Sequence, residues 1–478
     1  MSTPPAELWD LPSTFAALQQ TRWAGVEAVA RARRSRIGEL IRYARERSVW
    51  FGRRCAGLPA DVGLERMPVT RKAELMARFD EWVTDPAVSR AAVESFFADR
   101  SRIGERFLGR YVAWRSSGTS GEPGYFVHDG RAVAVYDALI GAIVQTPPVS
   151  VALGFGMLAH AGRCALVAAI GEHFAGIVTW RSIARWVPAP NLKEISILAP
   201  LTDWVDELNA FQPAFLAGYP SALRLLAREQ GAGRLSIAPS IVWSGGEHLG
   251  GRARSEIERA FAATVVEEYG SSECPSIAAG CDCGWLHVND DWVVLEAVDE
   301  RYRPVAPGTR SHTVLLTNLA NRVQPLIRYD LGDRIVVRPD ACECGNPMPA
   351  VRVEGRAGDA LSLVGRRGRR IDVLPLAIET ALEEEAGIHR FQVVRRGPSE
   401  LSLRLPAGPA RTRRDAWRRA RDALGRWLDH QGLANVTIAL DAEPPRVDAT
   451  SGKLAIVVSA PMAGRRRARP GRRGAPVS

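Results

Sequence analysis

The sequence predicts an α/β protein: a large N-terminal unit of mixed β-sheets and helices, followed by a smaller α+β unit. Three observations carry that expectation. The chain has 478 residues, enough for about three domain-sized units, with 46% hydrophobic and 24% charged residues. Between residues 110 and 350, helix-like stretches alternate with short β-rich runs, the pattern of buried sheets crossed by helices. After Glu354 the units shorten to a β-α-β-β-α-β order spanning about 100 residues, which reads as a separate small fold.

Taken in order, residues 14–47 form one long Ala/Arg-rich helical pattern, and a second helix follows Pro68, with Thr70 placed to cap it and Glu74 in its first turn. Helical periodicity then marks 131–144, 201–211, 221–230 and 251–262, and β-rich runs mark 240–243, 264–267, 292–296 and 313–316. The last unit reads as a strand at 371–373, a helix at 376–385, strands near Phe391 and Leu401, a helix at 412–429, and strands near Val436 and Leu454. The resulting division is a helical region over 1–109, a core over 110–355, a small unit over 356–463 and a basic tail over 464–478.

Composition excludes a disordered chain, a fibre and a disulfide-stapled miniprotein. The opening MSTPPAELWD has no basic head and apolar run, and the most apolar stretch, 138–158, is broken by Gln145, Pro147 and Pro148; the expectation is a cytoplasmic protein without a membrane segment. Net charge is +10, but six arginines in the last fifteen residues leave only +4 for the rest. Such a tail reads as a solvated end in preference to a nucleic-acid contact. Arginine carries nearly all the positive charge, because Lys72, Lys193 and Lys453 are the only lysines among 63 basic residues. Five of the seven cysteines fall in two windows about sixty residues apart, Cys274, Cys281 and Cys283, then Cys342 and Cys344, which points to metal before disulfide.

Several segments carry chemistry. RSSGTSGEP at 115–123 alternates hydroxyls with glycines, which lets backbone amides and side-chain OH groups approach phosphate oxygens closely; it lacks the lysine of a Walker-type loop. WSGGEHLG at 243–250 and EEYGSSE at 267–273 follow β-rich runs, where open α/β sheets bind ligands. In LIRYDLGD at 326–333, Asp333 can accept two hydrogen bonds from a vicinal diol such as ribose. EGRAGD at 354–359 marks the boundary of the small unit, and TSGKLAIVV at 450–458 places Lys453 on a turn entering a strand.

In this order and at this spacing, the segments resemble the adenylate-forming (acyl-CoA synthetase) superfamily, in detail its phenylacetate-CoA ligase and coenzyme F390 synthetase-like branch, over residues 66–458. The resemblance implies a large domain and a small mobile C-terminal lid that together activate a carboxylic acid with ATP and Mg²⁺ to an acyl-adenylate, then pass the acyl group to CoA. An amine, a carrier-protein thiol or another acceptor is the alternative to CoA. It also implies roles. Ser116, Ser117, Gly118, Thr119, Ser120 and Gly121 hold the triphosphate. Gly245, Gly246 and Glu247 line the adenine pocket with Tyr269 against the base, followed by Gly270 and Ser271. Ser272 and Glu273 meet the phosphate and Mg²⁺, Asp333 meets the ribose, and Arg356 meets the ribose or phosphate side. Lys453 bridges the carboxylate and α-phosphate oxygens. A homodimer follows only by analogy with the branch.

Two departures matter. The usual hinge aspartate is Gly358 here, followed by Asp359, and Gly124 and Tyr125 stand where many synthetases have a lysine. For the acid, Gly154, His160, Tyr219 and Trp243 outline a pocket of aromatic and small residues suited to an aryl or medium-sized apolar acid. Related proteins of the branch carry a Cys-x5-His and a Cys-x-Cys pair in corresponding loops. That implies structural zinc on four of Cys281, Cys283, His287, Cys342 and Cys344, with Cys283 competing against His287.

Overall fold

The computed structural model describes residues 11–116, 123–183, 186–354, 361–446 and 456–459. The long N-terminal helical pattern is two helices, Leu11–Trp23 and Val26–Arg47, because Gly25 takes φ +91, which ends the first and turns the chain into the second. Short helices Val49–Arg54, Lys72–Ala77, Phe79–Trp82 and Arg90–Ala98 follow. Their apolar faces bury Phe51, Leu75, Phe79, Trp82 and Val93 against Phe126 in one continuous core.

Thr70 does not cap its helix. It is fully buried in a parallel bridge with Tyr329, donating its hydroxyl to the Ile327 carbonyl at 3.2 Å, while Arg71 occupies the cap position without a capping bond. Pairing with a buried strand satisfies both backbone groups of Thr70, so this long-range contact displaces the local cap.

The main sheet has nine strands among the described residues. Leu192–Ser196, Cys164–Ala168, Phe215–Gly218, Ile241–Ser244 and Thr264–Tyr269 lie side by side and parallel. Ala278–Gly280, Leu286–Val288, Ala350–Val353 and Ile335–Val337 extend the sheet antiparallel. Helices Leu201–Phe211, Pro220–Gly231 and Gly251–Phe261 make the crossovers and bury Leu208, Leu223, Leu226 and Ile257 on the parallel half. A three-stranded antiparallel sheet of Val293–Val298, Thr313–Asn318 and Leu326–Asp330 and a hairpin of Val112–Arg115 with Tyr125–His128 complete this part. No single helix among the described residues is long and apolar enough to cross a membrane; Gly130–Val144 and Pro147–Ala159 pass such a test only as a pair bent by 89°.

Beyond residue 361, a ribbon of Leu361–Val364 and Arg370–Val373 precedes helix Pro375–Ala386. The hairpin Gln392–Gly397 and Glu400–Arg404 follows, then helix Ala410–His430 and strands Thr437–Leu440 and Val457–Ser459. The first strand of the expected β-α-β-β-α-β pattern therefore pairs within its own ribbon, and the four-stranded sheet is closed instead by the last two strands, each parallel to its neighbour.

Helix Pro375–Ala386 is wedged between this sheet and the rest of the protein, so that even Glu379, Thr380 and Glu383 are buried. Glu384 reaches into a notch opened by Gly171, where a Cβ would stand 2.1 Å from its Oε2. Arg100 ties the joint together, donating to Glu172 and to the Glu384 carbonyl at 2.7 Å. Burial pushes the Glu384 carboxyl up to about 7; Glu172 and Glu383 push the same way, and Arg100 and Arg115 oppose them. A raised carboxyl binds its proton more tightly when folded, so its contribution is fully present below its usual 4.5 and is lost as pH rises through about 7. The neutral variant Glu384→Gln is therefore expected to melt with the wild type at pH 4.5 and about 2–4 °C above it at pH 7.5, in paired melting curves across that range.

Candidate functional site

The site lies where the parallel strands end at their carboxyl edge. Strand Ile241–Ser244 runs into Gly245 and Gly246, and Gly246 must be glycine: its φ is +80 and a Cβ would meet the Tyr219 ring at 2.9 Å. Glu247 Oε2 accepts the backbone N–H of Ser221 at 3.0 Å, fastening this loop to the start of helix Pro220–Gly231. Burial pushes Glu247 up and the Ser221 contacts pull it down.

On the next strand, the Tyr269 hydroxyl donates to Asp333 Oδ2 at 2.9 Å, joining two of the expected nucleotide residues across 64 positions of sequence. Burial, with Asp333 alongside, holds the Tyr269 hydroxyl well above its ordinary range, so it stays a donor. The loop 270–273 is pinned at Ser271, Ser272 and Glu273. Ser271 N–H donates to the Cys274 carbonyl at 2.9 Å and Ile277 N–H to the Tyr269 carbonyl at 3.0 Å, closing a tight turn. Trp114 Nε1 donates to the Ser272 carbonyl at 2.7 Å, and Asn318 Nδ2 to the Glu273 carbonyl at 3.1 Å. Tyr329 OH donates to Glu273 Oε1 at 2.7 Å, which aims the carboxylate.

Behind the loop lies a buried polar network. His128 lies against Trp114 with ring centroids 4.2 Å apart and planes tilted by 31°, and its Nδ1 lies 3.2 Å from Tyr136 OH, which accepts from Asn318 at 2.7 Å. Burial pushes His128 down to about 3, so the ring is neutral and puts no charge beneath the loop. Trp114 and His128 belong to the hairpin that flanks the hydroxyl-rich segment, so the hairpin and loop 270–273 are one rigid assembly.

Of that segment, Ser116 is described: its Oγ accepts from Gly124 N–H at 2.9 Å and from Lys72 Nζ at 3.0 Å. Ser117, Gly118, Thr119, Ser120, Gly121, Arg356 and Lys453, and the hinge position Gly358 with Asp359, lie outside the described residues.

Tyr219 and Trp243 both border the glycine loop. Trp243 continues a row of aromatic rings, Trp180, Phe215 and Trp243, with successive centroids 6.4 and 6.0 Å apart, and donates its Nε1 to Glu268 Oε2 at 2.9 Å. Gly154 and His160 are not brought to this edge. Helix Pro147–Ala159 packs its Gly156 on Ser240 and Ala214, which precede the strands, while Gly154 faces open space and His160 caps the helix end.

Away from this edge, Cys281, His287, Cys342 and Cys344 present four ligand atoms within 4.8 Å of one another, and Cys283 is outside the group. Cys281 Sγ lies 3.8 Å from Cys342 Sγ and His287 Nε2 lies 3.2 Å from Cys344 Sγ. His287 Nδ1 lies 2.9 Å from the Met348 carbonyl; a carbonyl only accepts, so Nδ1 carries the proton and the Nε2 lone pair faces the sulfurs. Donor types, spacing and tautomer all fit a tetrahedral zinc.

Sequence reasoning named the loops but missed the groups that hold them: Trp114, Asn318, Tyr329 and Lys72. For Lys72 a signal existed, since it is one of three lysines in an arginine-dominated chain.

No protein-family model matches the chain. It is 23% identical over 367 residues, 73% of each chain, to phenylacetate-coenzyme A ligase of Thermus thermophilus. Over 134 residues, 28% of each chain, it is 28% identical to Protein CapK of Staphylococcus aureus. Among solved structures, 2-hydroxyisobutyryl-CoA ligase in complex with 2-HIB-AMP and CoA in the thioesterification state aligns with TM-score 0.54 and 22% identity over 90% of this chain and 89% of that one. The same ligase in its postadenylation state with 2-HIB-AMP aligns with TM-score 0.51 and 22% identity over 91% and 89%. Motif order, sequence relative and fold agree in their similarity to the adenylate-forming superfamily and, within it, to phenylacetate-CoA ligase.

Proposed function

We propose that this protein is an AMP-forming acid–CoA ligase. A carboxylate oxygen attacks the α-phosphorus of ATP, the bond from that phosphorus to the bridging oxygen breaks, and pyrophosphate departs with the electron pair. The CoA thiolate then attacks the acyl carbon, and AMP leaves. The observation that carries the reading is the rigid loop 270–273 with Glu273 aimed by Tyr329, beside the Tyr269–Asp333 pair. Together these give one place for a metal-bound phosphate and one for a ribose. Asp333 Oδ1 and Oδ2 suit the two ribose hydroxyls, and Tyr269 provides the flat face for the base. Glu273, a carboxylate already oriented, has the hard oxygen donors that would hold Mg²⁺, which when bound would offset charge at the phosphate. By the family resemblance, Lys453 would add a second cation during adenylation, and rotation of the small unit about the hinge position Gly358 would admit the thiol. Trp243, with Tyr219 across the glycine loop, offers aromatic walls suited to an aryl or medium-sized apolar acid.

The test is exchange of labelled pyrophosphate into ATP across a panel of aryl and alkyl acids, then thioester analysis with and without CoA. Acid-dependent exchange with a CoA thioester is the expected result. Exchange without thioester shifts the acceptor to an amine or a carrier thiol, and no exchange with any acid overturns the reading.

We propose further that Cys281, His287, Cys342 and Cys344 hold a structural zinc that staples two loops 61 residues apart. Metal analysis of the purified chain is expected to find about one zinc per chain. In Cys342→Ser the metal content falls toward zero and the melting temperature drops by about 5–10 °C.

A further inference from the structure

The phosphate segment departs from many synthetases in having glycine and tyrosine, not lysine, at 124 and 125, and a cation from elsewhere in the chain stands beside that gap. Lys72 Nζ lies 3.0 Å from Ser116 Oγ, and its stem lies across Gly124, where a Cβ would stand 2.9 Å from Lys72 Cε. A side chain at 124 would displace Lys72, so the glycine and the incoming lysine are two halves of one arrangement. Ser116 Oγ accepts from both Lys72 and Gly124 N–H, which leaves its own hydrogen to donate toward a phosphate oxygen.

The position of Lys72 is tightly set. The preceding Thr70 exchanges backbone hydrogen bonds with the strand that carries Tyr329, at 3.0 Å to the Arg328 carbonyl and 2.9 Å from Asp330 N–H. Arg71 bonds the Tyr302 hydroxyl at 2.9 Å, which in turn donates to Asp330 at 2.8 Å. That strand also aims Glu273 through Tyr329 and leads to Asp333, so the lysine, the metal carboxylate and the ribose carboxylate share one support. Lysine is a rare choice here.

We propose that Lys72 is the cation of the triphosphate site, contacting the β- and γ-phosphate oxygens of ATP and stabilising pyrophosphate as it leaves. This rests on the adenylation reading, and nucleotide binding separates the two because it requires no acid. The full-length chain is titrated with Mg²⁺·ATP and with AMP, which has no β- or γ-phosphate. Lys72→Ala is expected to weaken ATP binding roughly tenfold to a hundredfold while AMP stays within about twofold, and Lys72→Arg to recover part of the ATP affinity. Equal weakening of ATP and AMP would show a merely structural lysine and overturn the proposal, as would unchanged ATP affinity in Lys72→Ala. Binding of neither nucleotide to the unaltered chain would remove the adenylation reading together with it.

Discussion

Replacing Gly270 with alanine is expected to lower acid-dependent pyrophosphate exchange about a hundredfold or more, from a single added methyl group. The new Cβ would stand 1.8 Å from the carbonyl oxygen of Pro275 and 2.7 Å from its carbonyl carbon. Both belong to backbone, so no side-chain rotation relieves the clash and the turn itself must open. Opening it breaks the bonds between Ser271 and Cys274 and between Ile277 and Tyr269, and so carries away Tyr269 on one side and Glu273 on the other. Because Trp114 and Asn318 hold the carbonyls of the same loop, the displacement also strains the hairpin beside the phosphate segment. Gly251→Ala is the matched control: a Cβ there meets nothing within 4 Å, and its exchange rate is expected to equal the wild type. Exchange rates and melting curves on the two variants check both statements, and an active Gly270→Ala would mean that the loop does not contribute to catalysis.

The second large effect is expected at Lys453. Two anions approach each other in adenylation, and one well-placed cation in such a step is worth about a hundredfold to a thousandfold in rate. Lys453→Ala should therefore lose exchange by that factor while still converting supplied acyl-adenylate and CoA to thioester, since the second half-reaction brings no new pair of anions together. Lys453→Arg is expected to rescue little, because a planar fork does not replace a compact ammonium between two oxygens. Loss of both half-reactions to the same degree would assign Lys453 a structural role instead.

Much of this architecture could be read from the chain. Of the five parallel strands, Ile241–Ser244 and Thr264–Tyr269 announce themselves as β-rich runs, whereas Cys164–Ala168, Leu192–Ser196 and Phe215–Gly218 were not marked; the glycine- and hydroxyl-rich loops follow the two that were, at the edge where α/β sheets bind ligands. The cysteine windows were equally plain. Choosing His287 over Cys283 was not, because it depends on a strand register that places His287 opposite Ala350 and turns its ring toward Cys344. Where sequence reasoning erred, a distant partner outcompeted a local signal. Thr70 has the residue type of a cap but is taken by Tyr329, more than 250 residues away. The strand at Arg370–Val373 is the reverse case: it has the pattern of a sheet member, but its immediate upstream neighbour, Leu361–Val364, pairs with it instead. Trp114 and Asn318 carry no motif at all; their role is visible only once the carbonyls they hold are known.

The register of the large sheet also sets a timetable for synthesis. Its parallel strands are all available once Tyr269 has emerged, but the antiparallel half ends at Leu286–Val288, whose outer neighbour, Ala350–Val353, is made more than sixty residues later. During that interval a strand that is buried at all three positions in the finished protein presents an unpaired apolar edge. Asp333, which completes the pair with Tyr269, arrives in the same interval. A ribosome pausing between these points would therefore hold a chain without a finished site and with a template for pairing between copies, and this is the stage at which a nascent-chain chaperone has most to protect.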